Sequence, residues 1–300
     1  MAALPPHMPP ISGVNAILNA HSASKNTSSI KPTALSLFSM HGKVAIVTGG
    51  GRGIGLEIAL AYAEAGARVY CLDLPEKPSE EWGVCKAWVD GLAGEGGKGN
   101  GALEYTQCDV TQQRATWDIV ARIADKEGRM DVCVACAGIL RGSDVLEWDG
   151  EDWEKLMKVN VSGVLFTAQA AGRQMAARGI KGSIILIASM SGRIANPDMY
   201  WAAYNTSKSA VLQLSRSIAC ELGPKGIRCN TISPGTVYTA MTRAFLDSQP
   251  GIMEKWCAQN PLGRLANPDE MRGIALFLGS DASTFCTGSD LIVDGGQTAW

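Results

Sequence analysis

Short runs of apolar residues alternate along most of the chain with stretches in which apolar residues recur at helical spacing. Apolar runs of about four to eight residues are typical of buried strands, and a spacing of three to four residues is typical of helices with one buried face. The pattern predicts strands near Val44–Val47, Arg68–Leu72, Leu103–Cys108, Val132–Ala135, Ser183–Ala188, Arg228–Ile232 and Asp290–Asp294. It predicts helices near Ile54–Ala65, Glu80–Gly91, Thr111–Glu127, Trp153–Ala177, Tyr204–Leu222, Ala240–Ala258 and Pro268–Leu278.

Alternating strands and helices indicate the overall architecture. Such chains form parallel sheets covered by helices on both faces, and their ligands bind beyond the carboxyl ends of the strands. We therefore predict an α/β fold with one seven-stranded parallel sheet, in a single domain over residues 41–300. We expect a binding site at one edge of the sheet, where these residues follow predicted strands: Gly49, Asp73, Asp109, Gly138, Ser189 and Pro234.

Residues 1–40 differ in composition from the rest of the chain. They are rich in Pro, Ser, Ala and Asn, lack Asp and Glu, and carry only Lys25 and Lys31 as full charges. This composition predicts a disordered N-terminal tail. A mitochondrial presequence would favour arginine, and the first arginine is Arg52, so we expect a cytoplasmic protein and keep mitochondrial import as the alternative. The glycine-rich stretch Gly91–Gly101 predicts a surface loop.

A glycine-rich turn lies between the first predicted strand and the first predicted helix, which would end before Gly66. Glycines allow the backbone to approach a phosphate closely, and a helix N-terminus supplies N–H groups and partial positive charge. The spacing Gly-x-x-x-Gly-x-Gly differs from the usual Gly-x-Gly-x-x-Gly, and a plain flexible loop is the alternative. We predict that the turn binds a dinucleotide, through Gly49, Arg52, Gly53, Ile54 and Gly55.

The second predicted strand ends at an acidic residue, Asp73, which Leu74 follows. A carboxylate about 20 residues beyond such a turn bonds the adenosine ribose hydroxyls. It would repel a 2′-phosphate, so we predict NAD rather than NADP as the cofactor. Two alternatives remain, because Arg52 could approach a 2′-phosphate and Asp73 could be an ordinary loop acid.

Tyr204 and Lys208 are spaced i and i+4 in a predicted helix, so their side chains share one face. A nearby ammonium favours tyrosinate and lowers the tyrosine pKa, which suits the phenol to exchange a proton near neutral pH. Ser189, at the end of the fifth predicted strand, could bond the same substrate oxygen. Although a solvent-facing pair is the alternative, these residues and the glycine turn together indicate hydride transfer between a nicotinamide and a carbonyl or alcohol carbon.

The ordered set of motifs from His41 to Gly296 resembles the classical short-chain dehydrogenase/reductase family. The resemblance implies a Rossmann fold and a catalytic tetrad of Asn160, Ser189, Tyr204 and Lys208. It also implies that the cofactor is contacted by Asp109, Val110, Ala137, Gly138, Pro234, Gly235, Val237 and Thr239, in addition to the glycine turn, Asp73, Leu74 and the tetrad residues Asn160, Tyr204 and Lys208. Asp294-Gly295-Gly296 is similar to the family's last strand and turn.

The resemblance assigns a role to each member of the tetrad. Tyr204 would be the acid/base, Lys208 would bond the nicotinamide ribose and lower the tyrosine pKa, Ser189 would polarise the substrate oxygen, and Asn160 would hold a water in the proton relay. The chain departs from the family in two places. Ala135-Cys136-Ala137-Gly138 replaces Asn-Asn-Ala-Gly, and the interval from Ser189 to Tyr204 is about two residues longer than usual, which makes Ser191 a rival for the serine role.

Composition excludes several other classes of function. The 300 residues are 46% hydrophobic with a net charge of −2, and nothing indicates binding to nucleic acid or to a membrane. The nine cysteines lie mostly in predicted elements, which favours free thiols in a reducing compartment. Cys133 and Cys136 have redox-motif spacing but should point to opposite faces of a strand, and the three histidines all lie near the N-terminus, so no metal site is expected.

The substrate is less well defined than the reaction. The stretches around Ser189 and Tyr204 are similar to fungal polyol and ketose dehydrogenases of the arabinitol, sorbose and mannitol types, which implies a polyhydroxylated substrate. A larger hydrophobic ketone is the alternative, because apolar side chains should form a lid and a pocket wall, or else pack beneath a loop. Specificity is expected from residues after Ser189, from Arg141 onward, and from Tyr238 to Leu262, including Met199, Trp201, Met241, Phe245, Leu246, Met253 and Trp256.

Two further alternatives concern assembly and class. The predicted helices Trp153–Ala177 and Tyr204–Leu222 carry alanine-rich faces, and in similar proteins these helices pair across a dimer axis, so we expect a homodimer or homotetramer rather than helices that only cover one sheet face. A catalytically silent dinucleotide-binding sensor or scaffold is the alternative to an enzyme, and the intact tetrad argues against it.

Overall fold

The computed structural model describes residues 13–23, 34–92, 101–240, 242–243, 246 and 251–300. One seven-stranded parallel sheet with the order β3-β2-β1-β4-β5-β6-β7 forms its centre. The strands are β1 Val44–Thr48, β2 Arg68–Asp73, β3 Ala102–Gln107, β4 Val132–Ala135, β5 Ser183–Ile187, β6 Arg228–Pro234 and β7 Asp290–Val293. The predicted α/β fold and all seven predicted strands are confirmed, with ends that shift by one or two residues.

Helices connect the strands and cover both faces of the sheet. They are α1 Val14–Ser22, α2 Gly53–Glu64, α3 Glu80–Leu92, α4 Gln113–Glu127, α5 Gly150–Met157, α6 Val164–Ala177, α7 Ala202–Leu222, α8 Ile252–Ala258 and α9 Arg272–Gly279. Short 3₁₀ turns lie at Ser36–Phe38, Met190–Gly192, Gly223–Lys225, Pro268–Met271 and Asp281–Ser283. No helix among the described residues is both long enough and apolar enough to cross a membrane.

Two apolar layers lie on opposite faces of the sheet, and β1 contributes to both. Val44 and Ile46 pack into the layer formed with α4, α6 and α7, whereas Ala45 and Val47 pack into the layer formed with α2, α3 and α9. Strands buried on both faces read as continuous apolar runs, which is why the sequence pattern located them well.

The order of the strands places the binding region. The chain runs outward from β1 to β3 and then returns to place β4 on the other side of β1. The turns after β1 and β4 therefore diverge at the carboxyl edge, and this divergence opens the crevice in which α/β proteins bind ligands.

One predicted helix is interrupted by a wider turn. The sequence predicts a helix over Trp153–Ala177. The helix instead begins at Gly150, where the Asp149 side chain accepts hydrogen bonds from the backbone N–H groups of Glu151 and Asp152. A π-helical segment, Lys158–Gly163, separates α5 from α6. Such segments occur frequently at functional sites, and this one contains Asn160.

A second predicted helix, Ala240–Ala258, is not continuous. Ala240, Thr242, Arg243 and Leu246 are helical, but Gly251 has φ +82° and precedes the separate helix α8. The left-handed conformation at Gly251 breaks the helix, and the periodicity of apolar residues did not reveal this. Met241 and Phe245, predicted in the lid, lie outside the described residues.

The N-terminal segment also differs from its prediction. Within the predicted disordered tail of residues 1–40, the structure places helix α1, although helices this short are only marginally stable by themselves. Met40 is fully buried, and its N–H donates to the Ala65 carbonyl at 2.9 Å. Met40 is therefore part of the core, and the tail prediction for residues 1–12 and 24–33 lies outside the described residues.

Gly101 ends the predicted surface loop but is tightly packed. A Cβ atom at this position would lie 2.2 Å from the Ala67 carbonyl oxygen and 2.3 Å from that of Ala63. Residues 93–100 lie outside the described residues, and Gly91 belongs to α3. The end of this loop therefore anchors β3 against the turn that follows α2.

We predict that Gly101→Ala destabilises the protein by about 1–3 kcal/mol, because the added methyl group forces backbone to move in a packed region. The matched control is Gly83→Ala, since Gly83 lies in α3 and a Cβ atom there would have no heavy atom within 4 Å. That substitution should be neutral or stabilise by up to about 1 kcal/mol. Urea unfolding measures both, and equal free energies of unfolding would contradict the packing seen at Gly101.

Candidate active site

A crevice opens at the carboxyl edge of β1, β4, β5 and β6, with an empty volume of about 1120 Å³ that includes its open mouth. The residues of the glycine turn, the segment after β4, Ser189, Tyr204, Lys208 and the segment after β6 all contribute to its wall. The structure therefore brings most of the predicted site residues together around one crevice.

The glycine turn places backbone where side chains would not fit. Gly49 has φ +66°, and a Cβ atom there would lie 3.0 Å from the backbone of Ala137. A Cβ atom at Gly55 would lie 2.1 Å from the Gly49 carbonyl oxygen. No side chain caps the N-terminus of α2, and its first turn contains no acidic residue. The turn thus fits the pyrophosphate of a dinucleotide, with backbone N–H groups and the α2 N-terminus as donors.

Asp73 lies against the glycine turn rather than in solvent. Its Oδ2 accepts from the Gly51 N–H at 2.9 Å, and its Oδ1 accepts from the Leu74 N–H at 2.8 Å. Arg52 contributes to the crevice wall, whereas the Leu74 side chain is exposed. Both the predicted carboxylate and the competing guanidinium are therefore near the end of the crevice formed by the turn.

Asp109 and Val110 follow β3 at the same edge of the sheet. Burial raises the pKa of the Asp109 carboxyl, but hydrogen bonds from the Thr111 backbone and hydroxyl outweigh it, and the pKa is lowered. Val110 is buried against the π-helical segment, because a Cβ atom at Gly163 would lie 2.8 Å from the Val110 Cγ2. Asp109 is therefore a charged acceptor near neutral pH.

Thr48 accepts hydrogen bonds from the backbone of the segment after β4, in which Ala135 and Cys136 stand where the family usually has two asparagines. Its Oγ1 accepts from the Cys136 N–H at 3.2 Å and from the Ala137 N–H at 3.3 Å. Cys133 packs into one apolar layer and Cys136 against the other, so the two thiols face opposite sides as predicted. Gly138 leaves room beside the site, since a Cβ atom there would lie 3.4 Å from Asn160 Oδ1.

Asn160 is fully buried in the π-helical segment, and its amide is bonded to protein on both sides. Oδ1 accepts from the Ile139 N–H at 2.8 Å, while Nδ2 donates to the Ile139 carbonyl at 2.9 Å and to Ser207 Oγ at 3.1 Å. Ser207 in turn donates to the Tyr204 carbonyl at 2.7 Å. The amide thus joins the segment after β4 to helix α7. Ser207 was not predicted as a site residue, although it lies within the Tyr204–Lys208 motif.

Lys208 is buried beside Tyr204. Its Nζ donates to the Ile187 carbonyl at 2.9 Å and lies 5.6 Å from the centroid of the Tyr204 ring. Burial lowers the pKa of the Lys208 ammonium to about 8, and raises the pKa of the Tyr204 phenol to about 12, against the opposing effect of a hydrogen bond with Ser189. The sequence predicted a lowered tyrosine pKa, and this direction was wrong for the cofactor-free protein, because loss of hydration outweighs the effect of the Ser189 side chain.

The structure distinguishes the two candidate serines. Ser189 caps the 3₁₀ turn Met190–Gly192, accepts from the Ser191 N–H at 3.1 Å, and its side chain acts to lower the pKa of the Tyr204 phenol. Ser191 also lines the crevice and is buried, but it contacts Ser189 through its backbone N–H and not through its hydroxyl. The geometry therefore favours Ser189 as the partner of the phenol.

The segment after β6 forms another wall of the crevice. Pro234, Gly235, Val237 and Thr239 all line it. A Cβ atom at Gly235 would lie 2.6 Å from the Asp294 Cα, and the Asp294 carboxylate accepts from the N–H groups of Gly296 and Thr298, both at 2.8 Å. The last residues of the chain thus support this wall from behind.

Two tryptophans form the wall next to Tyr204. The Trp201 ring lies 6.1 Å from the Tyr204 ring and 6.0 Å from the Trp256 ring, both edge to face. Near this wall, Lys255 of α8 pairs with Asp198 at 2.5 Å. The crevice is not lined by four other residues that were predicted to set specificity, namely Met199, Met253, Leu246 and Arg141. Leu246 is buried, and Arg141 pairs with Asp152 on the surface.

We predict that the buried Lys208 ammonium makes folding stability depend on pH. Its pKa falls from an ordinary 10.5 to about 8 in the folded protein, so the unfolded state binds more protons between these values and stability rises with pH there. The free energy of unfolding of the wild type relative to Lys208→Met should rise by about 1 kcal/mol from pH 7 to pH 9. Urea unfolding of the cofactor-free proteins measures this, and parallel pH profiles would contradict it.

Comparison with known proteins agrees with this geometry. Residues 49–298 match the protein family described as Enoyl-(Acyl carrier protein) reductase. Sorbose reductase of Schizosaccharomyces pombe is 40% identical over 87% of this chain and 98% of its own length. Galactitol 2-dehydrogenase (L-tagatose-forming) of Cereibacter sphaeroides is 39% identical over 88% of this chain and 98% of its own length.

A solved structure with the same fold is that of a gluconate 5-dehydrogenase from Burkholderia cenocepacia, in complex with NADP and tartrate. It is 35% identical, with a TM-score of 0.78, and the match covers 89% of this chain and 99% of that chain. The fold, the crevice and these similarities lead to one assignment: the protein belongs to the short-chain dehydrogenase/reductase family of NAD(P)-dependent oxidoreductases.

Proposed function

We propose that the protein transfers a hydride between NAD(H) and a secondary alcohol or ketone of a polyol or ketose. The observation that carries this proposal is the group of Ser189, Tyr204 and Lys208 in the crevice that the glycine turn enters. The nicotinamide, when bound, supplies or accepts the hydride. A catalytically silent sensor would have no need for a buried lysine whose ammonium costs free energy next to an unused phenol.

Each member of the tetrad has a proposed role that its contacts support. Tyr204 exchanges a proton with the substrate oxygen, and Ser189, which lines the crevice with it, donates to the same oxygen. Lys208 keeps a positive charge beside the phenol and would bond the nicotinamide ribose. Asn160 holds the segment after β4 against α7 and so keeps Tyr204 in place, and a water in the proton relay remains part of the proposal.

The relatives support a polyhydroxylated substrate. Sorbose reductase and galactitol 2-dehydrogenase are named for a ketose and a polyol, and gluconate 5-dehydrogenase for a polyhydroxylated acid. The second candidate is a larger hydrophobic ketone, which the wall of Trp201, Trp256 and Met190 favours. A panel of pentitols, hexitols, ketoses and apolar ketones, followed by NADH absorbance, distinguishes the two.

We predict that Tyr204→Phe lowers turnover of the best polyol or ketose in this panel by about 10²- to 10⁴-fold, because the general acid/base is removed. Cofactor affinity, measured by calorimetric titration, should remain within about threefold. Tyr200→Phe is the matched control, since the Tyr200 side chain is exposed and does not line the crevice, and it should retain wild-type turnover. Unchanged turnover in Tyr204→Phe would show that another group exchanges the proton.

We propose NAD as the preferred cofactor, with NADP less favoured. The Asp73 carboxylate is held at the glycine turn by the Gly51 N–H, where it would repel a 2′-phosphate. Arg52 is the competing feature, because its exposed guanidinium could pair with that phosphate. The related gluconate 5-dehydrogenase was solved with NADP bound, which is a specific reason to test NADP as the alternative cofactor.

We predict that wild-type protein has a higher kcat/KM with NADH than with NADPH, and that Asp73→Asn raises kcat/KM with NADPH by about tenfold or more. The substitution removes the charge but keeps an oxygen that can accept from the Gly51 N–H, so the turn should be preserved. Loss of a charged hydrogen bond to ribose should lower kcat/KM with NADH by about 10-fold or more. Arg52→Gln is the companion variant and should affect NADPH alone. A wild-type preference for NADPH would contradict this assignment of Asp73.

We also propose a homodimer or homotetramer built through α6 and α7, whose alanine-rich composition suits close helix packing. The nine cysteines are free, and their thiols are consistent with a reducing compartment such as the cytoplasm. We propose that a small-molecule alcohol or ketone binds in the crevice as substrate.

A further inference from the structure

Trp201 occupies a position next to the reacting groups that none of the proposed catalytic roles uses. It immediately precedes α7 and lines the crevice half-buried. Its ring contacts the Tyr204 ring on one side and the buried Trp256 ring on the other. The Trp201 indole is therefore close to the carbons next to the reacting carbon of any substrate whose oxygen bonds the Tyr204 phenol.

The orientation of the Trp201 ring is fixed by the segment after β4. A Cβ atom at Gly142 would lie 3.0 Å from Trp201 Cδ1 and 3.3 Å from Nε1, so the indole edge packs closely against this glycine. The Ser143 N–H donates to the Tyr200 carbonyl at 2.9 Å and ties the two segments together. A side chain held in this way is already ordered before a ligand binds, which lowers the entropic cost of binding.

The indole N–H of Trp201 has no acceptor among the described residues. The indole nitrogens of Trp117 and Trp148 are buried without a partner, but that of Trp201 is not among these buried atoms and remains reachable by a ligand. Tryptophan combines an apolar ring with one polar donor. The ring that carries this donor lines the crevice beside Tyr204, and its Nε1 lies on the edge near Gly142.

Few other donors in this part of the crevice are free to serve a substrate. The Thr242 hydroxyl donates to the Val237 carbonyl at 2.7 Å and accepts from the Thr239 N–H at 2.8 Å. Ser189 is assigned to the reacting oxygen in the proposed mechanism. Leu140 and Met190 supply only apolar contact, and the buried Trp256 packs its ring against Trp201. Besides Ser191, Trp201 is the side chain best placed to recognise a second hydroxyl.

We propose that Trp201 is a specificity-determining residue whose indole N–H donates a hydrogen bond to a hydroxyl on a carbon near the reacting carbon, while its ring packs against the C–H groups of the chain. This inference rests on the proposed polyol or ketose function and adds the group that distinguishes such a substrate from a simple alcohol. A site with a donor left unpaired rejects the analogue that lacks the hydroxyl.

The test compares two substrates with the same carbon chain, a pentitol and 2-pentanol, in wild type and in Trp201→Phe. The variant keeps an aromatic ring and removes the N–H. We expect kcat/KM for the pentitol to fall about tenfold, mainly through a higher KM because the bond is present in both ground and transition states. The value for 2-pentanol should stay equal or rise, because the donor that this substrate leaves unpaired has been removed. Where 2-pentanol is not turned over, its inhibition constant against the pentitol is used instead.

Two controls accompany this comparison. Trp88→Phe removes an exposed indole from α3 outside the crevice and should leave all constants unchanged. Thermal unfolding and calorimetric titration of the cofactor should give wild-type values for Trp201→Phe, which separates loss of a substrate contact from loss of structure.

The outcomes separate this inference from the proposed function. Wild-type protein that turns over no polyol or ketose would overturn the proposed function and the Trp201 assignment with it. Wild-type turnover of the pentitol, together with an unchanged or equally reduced constant for both substrates in Trp201→Phe, would overturn the Trp201 assignment alone. A selective loss for the pentitol supports both.

Discussion

Burial of the Lys208 ammonium at the carboxyl edge of the sheet is the constraint on which the site depends. A buried cation is costly unless polar groups surround it, and here the Ile187 carbonyl at the end of β5 accepts its hydrogen bond. Gly138 leaves space beside it, because a Cβ atom would lie 3.7 Å from the ammonium nitrogen. The strand end, the glycine and the helix that carries Lys208 must therefore keep fixed positions, and the same positions hold Tyr204 and Asn160.

Much of the fold could be predicted because its signals are local. The fully buried strand Val44–Thr48 reads as an apolar run, and Gly66 follows the end of α2 with φ +102°, as a C-terminal glycine should. The glycines of the first turn could be assigned for the same reason, since their role depends on backbone conformation. The order of site residues at strand ends also follows from sequence alone, because parallel strands present all their carboxyl ends at one edge.

Features that depend on distant contacts could not be predicted. Asn160 lies in a π-helical segment and bonds Ile139, which is 21 residues away in the chain. The Tyr204 pKa follows from how completely the fold removes water, and the i, i+4 spacing to Lys208 contains no information on that. The break at Gly251 and the tight packing of Gly101 likewise come from conformations and neighbours that a residue type does not specify. Sequence identified the chemical groups, whereas their hydrogen bonds and electrostatic balance required three-dimensional positions.

The contact between Gly235 and Asp294 has a consequence for the end of the chain. Asp294 lies behind the crevice wall formed after β6, and its carboxylate orders Gly296 and Thr298. The Leu262 N–H also donates to the Gly295 carbonyl at 3.3 Å, which ties the segment after α8 to the same residues. Residues 294–298 thus brace the ligand-binding crevice from behind, and a substitution or deletion among them would act on the crevice although none of these residues lines it.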